Sequence, residues 1–221
     1  MDQESKKHKV AEFAINYINN NEVLGIGSGS TVEILISYLP KVRNKIQSIV
    51  SSSTSSTKLL EKNGFDVYQL KDVGRLTNYI DGADEVNKYL QMIKGGGGAL
   101  TREKILAHNS DNFVCIVDES KKVDILGTFP LPLEVIPIAQ SSVAHEIIKI
   151  GGRPVLRPNF VTDNGNIILD VHNFTIEEPL KIEALLNNIP GIVTNGIFAQ
   201  DCADILLCAK DDEVEESKSI A

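Results

Sequence analysis

Short apolar runs punctuate the chain: VLGIG, IQSIV, NYI, FVCIVD and ADILLC. As a set they are apolar rather than alternating in pattern, as expected of strands covered on both faces. The segments between them carry helical spacing. Val10, Phe13, Ala14, Tyr17 and Ile18 recur at i, i+3, i+4, i+7 and i+8. A second helix is expected from about Thr31 to a stop near Pro40, a third ends near Gly64, and GALTREKILAH reads as another. VYQL reads as a further strand. Strand and helix in alternation predict an α/β fold built on a parallel sheet with helices on both faces.

The character changes after about Leu126. Prolines cluster in GTFPLPLEVIP and GGRPVLRP, then QSSVAHEIIKI reads as a helix. The turn signal DNGN separates two β-like runs, RPNFVT and IILDVH, and the helix PLKIEALLNN follows. A strand-helix-strand-strand-helix-strand order predicts a small α+β layer inserted before ADILLC. The expected domains are 1–126 with 200–221, and 127–199. The acidic tail from Asp211 is expected to be solvated and frayed. The SSSTSST run, between a strand and a helix, is expected to be an ordered loop.

Composition narrows the function. A net charge of −8 over 221 residues argues against a nucleic-acid surface but leaves room for a locally positive pocket that takes a small anion. No apolar run approaches the roughly 20 residues that span a bilayer, and MDQESKKHKV has no apolar segment behind its charges. A cytoplasmic protein with no membrane partner is expected. Cys115, Cys202 and Cys208 form no CxxC pair and read as reduced thiols; His8, His108, His145 and His172 are scattered. No metal is called for.

Four segments fall where strands lead into helices, the ligand-binding edge of such sheets. GIGSGST offers N–H groups and a helix N-terminus to a phosphate. It is no dinucleotide fingerprint, since Ser30 stands where a third glycine belongs and SIVSSSTSS lacks the acidic residue. A tight turn with Ser30 as N-cap reads equally well. IDGADEV sets two carboxylates three residues apart; they either share a proton or cation, or form an Asx-type turn capped by Asp81. KGGGG is either an anion-binding nest with Lys94 at its mouth or a surface loop. Glu103 falls in the centre of an apolar helix face formed by Ala99, Leu100, Leu106 and Ala107. There it is a desolvated general base or one half of a structural ion pair. Lys121 could reach a phosphate or lie in solvent, and Lys6 and Lys7 are weaker phosphate candidates.

Taken together, GIGSGST, DGADEV, MIKGGGGALTREK, GGRPVLR and VTDNGNIILDVH resemble the type A family of ribose-5-phosphate isomerases. The resemblance runs over nearly the whole chain. Two departures are Ser28, where threonine is commoner, and Gly98, where alanine is usual. The resemblance implies interconversion of ribose 5-phosphate and ribulose 5-phosphate through a cis-enediolate, in the non-oxidative branch of the pentose phosphate pathway. It implies no metal and no cofactor. It implies a Rossmann-like domain with an inserted ferredoxin-like domain, assembled as a homodimer or in some members a tetramer. On these positions Glu103 is the base that shuttles the proton between C1 and C2, and Asp81 assists ring opening. Asp84 and Lys94 hold the sugar hydroxyls, and the amides of Gly95, Gly96 and Gly97 with Lys94 stabilise the oxyanion. Gly82 and Ala83 line the substrate. Ser28, Gly29, Ser30, Thr31 and Lys121 match substrate-binding positions, with the phosphate on Ser30, Thr31 and Lys121. Rival classes are a sugar-phosphate sensor, which would need a DNA-binding segment, and a coenzyme A transferase with a glutamate nucleophile.

Overall fold

The computed structural model describes residues 1–219. In chain order the helices are α1 (Gln3–Ala14), α2 (Ser30–Tyr38), α3 (Thr54–Lys62), α4 (Leu70–Val73), α5 (Leu100–His108), α6 (Gln140–Lys149) and α7 (Pro179–Asn187). The first strands are β1 (Glu22–Ile26), β2 (Ile46–Ser51), β3 (Leu76–Asp81), β4 (Glu85–Val86), β5 (Met92–Ile93) and β6 (Ser110–Asp118). The others are β7 (Leu131–Val135), β8 (Arg153–Leu156), β9 (Ile167–His172), β10 (Ile192–Asn195), β11 (Ile197–Phe198), β12 (Ile205–Ala209) and β13 (Val214–Lys218). They form two compact units. The first comprises residues 1–83, 102–121 and those from Ala203 onward; the second comprises 84–101 and 122–202. Segment 84–101, which carries KGGGG, thus groups with the second unit.

The first unit is built on a six-stranded sheet ordered β13-β12-β6-β3-β1-β2. Neighbours from β12 to β2 are parallel, and β13 closes the edge antiparallel to β12. The chain runs from β1 to β2 on one side, then returns to β3 on the other. The ends of β1 and β3 therefore form the topological switch point, where loops diverge and leave room for a ligand. Helix α1 is started by Asp2, whose carboxylate accepts the Ser5 N–H at 2.8 Å. Val10, Ala11 and Ala14 of α1 join Val32, Leu35 and Ile36 of α2 in one core with Leu24, Ile26, Ile80 and Val114 of the sheet. Burying each valine, leucine or isoleucine side chain among them contributes about 1.5–3 kcal/mol. Among the described residues, no helix is long and apolar enough to cross a membrane.

Two local expectations are overturned here. VYQL is not a strand: only Val67 bridges to Ile49, and Gln69 already precedes the short helix α4. The tail from Asp211 is not frayed, because residues 214–218 pair residue for residue with β12. Its charged side chains suit an edge strand with one face in water, a pattern that composition alone reads as disorder. The last two residues of that tail lie outside the described residues.

The second unit carries a four-stranded antiparallel sheet ordered β10-β7-β9-β8, with α6 between β7 and β8 and α7 between β9 and β10. This is the ferredoxin-like order 4-1-3-2. Val143, Ile147 and Leu186 from the helices pack with Leu131, Leu133, Leu169 and Val171 from the sheet. A small three-stranded sheet, β11-β5-β4, completes the unit. The RPNFVT run is not a strand; β8 ends at Leu156, before Pro158, which has no N–H to give a ladder. The DNGN turn does form. Gly165 N–H donates to Thr162 C=O, and Thr162 N–H to Asn166 C=O, both at 2.9 Å.

Gly98 has a left-handed backbone, φ 80°, and a Cβ built on it would lie 2.2 Å from the Phe160 ring. Phe160 thus fills the space that a methyl group would need. Gly98→Ala alone is expected to cost about 1–3 kcal/mol. In a Phe160→Val background the cost should fall by at least about 0.5 kcal/mol. Chemical denaturation of the four chains measures the coupling, and equal costs in both backgrounds would show that the ring is not the obstacle.

In the first unit, burial and then the Asp81 and Glu103 carboxylates hold the Tyr79 phenol well above its ordinary value of 10.0. A raised folded-state value means that stability is complete below pH 10 and falls as pH rises beyond it, because only the unfolded chain loses the proton. Tyr17, pushed up to about 12 by burial and Glu216, acts in the same direction. Tyr79→Phe should therefore lower stability at neutral pH yet make its alkaline decline shallower by up to about 1.4 kcal/mol per pH unit, read from denaturation midpoints above pH 10.

Candidate active site

At the switch point of the first unit, the loop after β1 meets the end of β3. Gly27 N–H donates to Ile80 C=O at 3.0 Å, and its own carbonyl accepts the Ser56 hydroxyl at 2.7 Å. The serine-threonine run expected to be a loop is loop only at Ser52 and Ser53, since residues 54–57 already belong to α3. Ser53 caps α3 by accepting the Ser56 N–H at 3.0 Å. Asp81, the last residue of β3, is fully buried. Its Oδ1 accepts the N–H of Gly82 at 2.7 Å and of Ser28 at 3.0 Å, and its Oδ2 accepts the Tyr79 hydroxyl. A Cβ on Gly27 would lie 1.9 Å from this carboxylate, so only glycine leaves room for it. The Gly82 bond is to the adjacent residue, one short of an Asx turn, and the same oxygen also fixes the glycine-rich loop.

Glu103 lies on the buried side of α5, 3% exposed, with Leu100, Leu106 and Ala107 also buried. Ser28 Oγ donates to its Oε1 at 2.6 Å. Ser28 therefore touches both carboxylates, Asp81 through its N–H and Glu103 through its hydroxyl. Helix α2 is capped by Gly29, φ 94°, with no side-chain cap, so Ser30 is the first helical residue instead of the N-cap. That leaves the exposed Ser30 and half-buried Thr31 beside a helix N-terminus, whose first N–H groups have no partner within the helix.

Lys121 is half-buried in a single 3₁₀ turn (Glu119–Lys121) after β6. Burial pushes the nearby Asp118 up, but hydrogen bonds from Ser120 and Gln3 and the charge of Lys121 leave it below the ordinary carboxylate value. Lys6 is bound to Glu119 and, at 2.8 Å, to Asp211. Lys7 pairs with Glu4 at 3.5 Å. Lys6 is thereby the weaker phosphate candidate of the two.

In the second unit, Asp84 and the glycine run are built around one another. Gly96 N–H donates to Asp84 Oδ2 at 2.8 Å, and a Cβ on Gly96 would lie 2.6 Å from Oδ1. Gly98 N–H returns to Gly95 C=O at 2.8 Å, closing a turn over residues 95–98. Lys94 is 2% exposed, its ammonium 5.5 Å from the Phe198 ring centroid, and its N–H donates to Gly196 C=O at 2.9 Å. Gly97 is exposed. The run is thus an ordered turn with one outward-facing residue.

Several supporting residues escaped the sequence reading. Tyr79 and Ser56 carried no motif. Glu134 is a buried carboxylate on β7 that accepts from Thr101, Thr162, Asn164 and Asn166. A lone acid inside the apolar run LPLEV was the available signal. Arg157, in GGRPVLR, forms a two-bond pair with Asp170 at 2.9 and 2.6 Å and donates to Gly96 C=O at 3.0 Å.

Comparison with known proteins adds an independent line. The sequence matches the family Ribose 5-phosphate isomerase A (phosphoriboisomerase A) over residues 48–213. It is 54% identical over 201 residues, 91% of this chain and 90% of the relative, to Ribose-5-phosphate isomerase A of Buchnera aphidicola subsp. Acyrthosiphon pisum (strain Tuc7). The crystal structure of ribose 5 phosphate isomerase A from Neisseria gonorrhoeae superposes with a TM-score of 0.97 at 45% identity, covering 100% of this chain and 99% of that one. A D-ribose-5-phosphate isomerase in complex with phospho-erythronic acid superposes with a TM-score of 0.93 at 36% identity, covering 99% and 100%. The chain belongs to the ribose 5-phosphate isomerase A family.

Proposed function

We propose that this chain interconverts D-ribose 5-phosphate and D-ribulose 5-phosphate through a cis-enediolate, in the non-oxidative branch of the pentose phosphate pathway, without metal or cofactor. The observation that carries the reading is Glu103, a carboxylate on the buried side of a helix whose Oε1 is held by the Ser28 hydroxyl at 2.6 Å. Such a group is fixed in direction and shielded from water, which suits a base that must take a proton from carbon. In the forward direction Glu103 takes the C2 proton of the open-chain aldose. The C–H electron pair becomes the enediolate double bond, and the carbonyl pair moves onto oxygen. The proton then returns to C1.

Asp81 is assigned to ring opening and hydroxyl proton transfer. Its Oδ2 already exchanges a hydrogen bond with Tyr79, whose phenol stays protonated across the physiological range. Asp84 and Lys94 are assigned to the sugar hydroxyls, and Lys94 with the glycine amides to the enediolate oxygen. An oriented donor at a developing oxyanion contributes about 3–4 kcal/mol to the barrier. Because Gly96 N–H is engaged by Asp84, the exposed Gly97 is the better placed amide. Gly82 and Ala83 line the substrate. The phosphate falls to Ser30, Thr31 and Lys121, supported by the helix N-terminus beside the first two. Competition by phospho-erythronic acid, the molecule held by one related structure, belongs to the same reading. A homodimer is supported by apolar side chains left exposed in the second unit, Ile138 and Val161 foremost.

The test is conversion of ribose 5-phosphate by purified protein in EDTA with no added cofactor. Glu103→Gln should lower kcat by between about 10²- and 10⁴-fold. In D₂O the product should carry solvent deuterium, whereas a direct hydride shift would keep the original hydrogen. Turnover that survives in Glu103→Gln would move the base to Asp81, and binding without turnover would make the chain a sensor.

A further inference from the structure

Arg157 belongs to no assigned site, yet it is built into the second unit with unusual care. Its guanidinium is held flat by the two-bond pair with Asp170, stands 5.2 Å from the Phe160 ring centroid, and spends its remaining nitrogen on Gly96 C=O at 3.0 Å. Both ends of the pair are less than a fifth exposed. A solvated surface arginine would need none of this, and a buried ion pair is weak evidence for stability by itself. The informative contact is the one to the glycine loop.

A run of glycines leaves each peptide plane free to turn over, because no Cβ opposes rotation. Here the planes are held one by one. The 95–96 plane is fixed by Asp84 on its N–H side and by Gly98 on its carbonyl side. The 96–97 plane is fixed by Arg157 on its carbonyl. Among the described residues no peptide bond is cis, so the N–H of Gly97 must point opposite to the carbonyl that Arg157 holds. We propose that Arg157, braced by Asp170 and Phe160, is a positioning residue that locks the 96–97 peptide and so aims the Gly97 N–H at the enediolate oxygen. It acts through the backbone and touches no reacting atom. The proposal rests on the isomerase reading above.

A misaimed donor weakens the transition state more than the bound substrate. Arg157→Ala should therefore lower kcat by about 10²-fold while KM stays within about threefold. Free guanidinium at tens of millimolar should restore at least about a tenth of the lost rate to this variant and none to the wild type, and Arg157→Lys, which lacks the planar fork, should stay close to Arg157→Ala. Asp170→Asn, which keeps the arginine but frees it, should fall between and serves if Arg157→Ala does not fold. The lock is read apart from turnover by the ¹⁵N order parameter of Gly97, which should fall clearly in Arg157→Ala while those of the β9 amides stay unchanged. Wild-type kcat in Arg157→Ala, a loss confined to KM, or an unchanged Gly97 order parameter would each overturn the proposal. A wild-type chain that fails to isomerise ribose 5-phosphate defeats the isomerase reading instead; the Gly97 order parameter still decides whether the lock exists.

Discussion

The carboxylate of Asp81 organises the first unit. It ends the central strand β3, is buried completely, and occupies the volume that any side chain at Gly27 would need. Taking a charge out of water costs several kcal/mol unless donors replace the lost hydration. The donors to Asp81 include the Ser28 N–H, the Gly82 N–H and the Tyr79 hydroxyl. Each tie constrains a different piece. The first sets the glycine-rich loop and with it the start of α2, the second sets the DGAD turn, and the third keeps a phenol inside the sheet. Once Ser28 is placed by its N–H, its hydroxyl is available to Glu103.

The same device recurs wherever a loop has to hold a shape. Asp84 takes Gly96 N–H; Glu85 takes Gly127 and Phe129 N–H; Glu183 takes those of Ala199 and Gln200; Asp204 takes Phe113 N–H. Glu134 does it with side chains, gathering Thr101, Thr162, Asn164 and Asn166. Glu85, Glu134 and Glu183 are buried, so some of the negative charge behind the net −8 is interior, serving as acceptors for loops. Charge counts suggest an acidic surface, and the structure puts several of those acids under it.

How legible was this in the sequence? The parallel sheet was, because its strands are apolar on consecutive positions, and the turns at Gly64 and DNGN were, because their residues demand them. VYQL and RPNFVT misled for the same reason. Their composition suits a strand, but strand formation needs a partner edge, and that is a tertiary fact. Asp81 stood out by its place after an apolar run, and Glu103 by its place in the centre of an apolar helix face. Tyr79, Ser56, Glu134 and Arg157 did not: the last three matter through contacts with residues distant in sequence, and Tyr79 through a hydroxyl bond to Asp81 that no residue pattern announces. Gly98 was visible as a departure, but its cause, Phe160, was not.

Strand β13 has a further meaning. It pairs with β12, whose ILLCA sequence would otherwise present a bare apolar edge, and it ends the sheet on Val-Glu-Glu-Ser-Lys. An uncovered edge of that kind is a template for another chain, and charged residues on an outer strand blunt it. The charged tail thus covers an apolar strand that would otherwise invite another chain to pair with it.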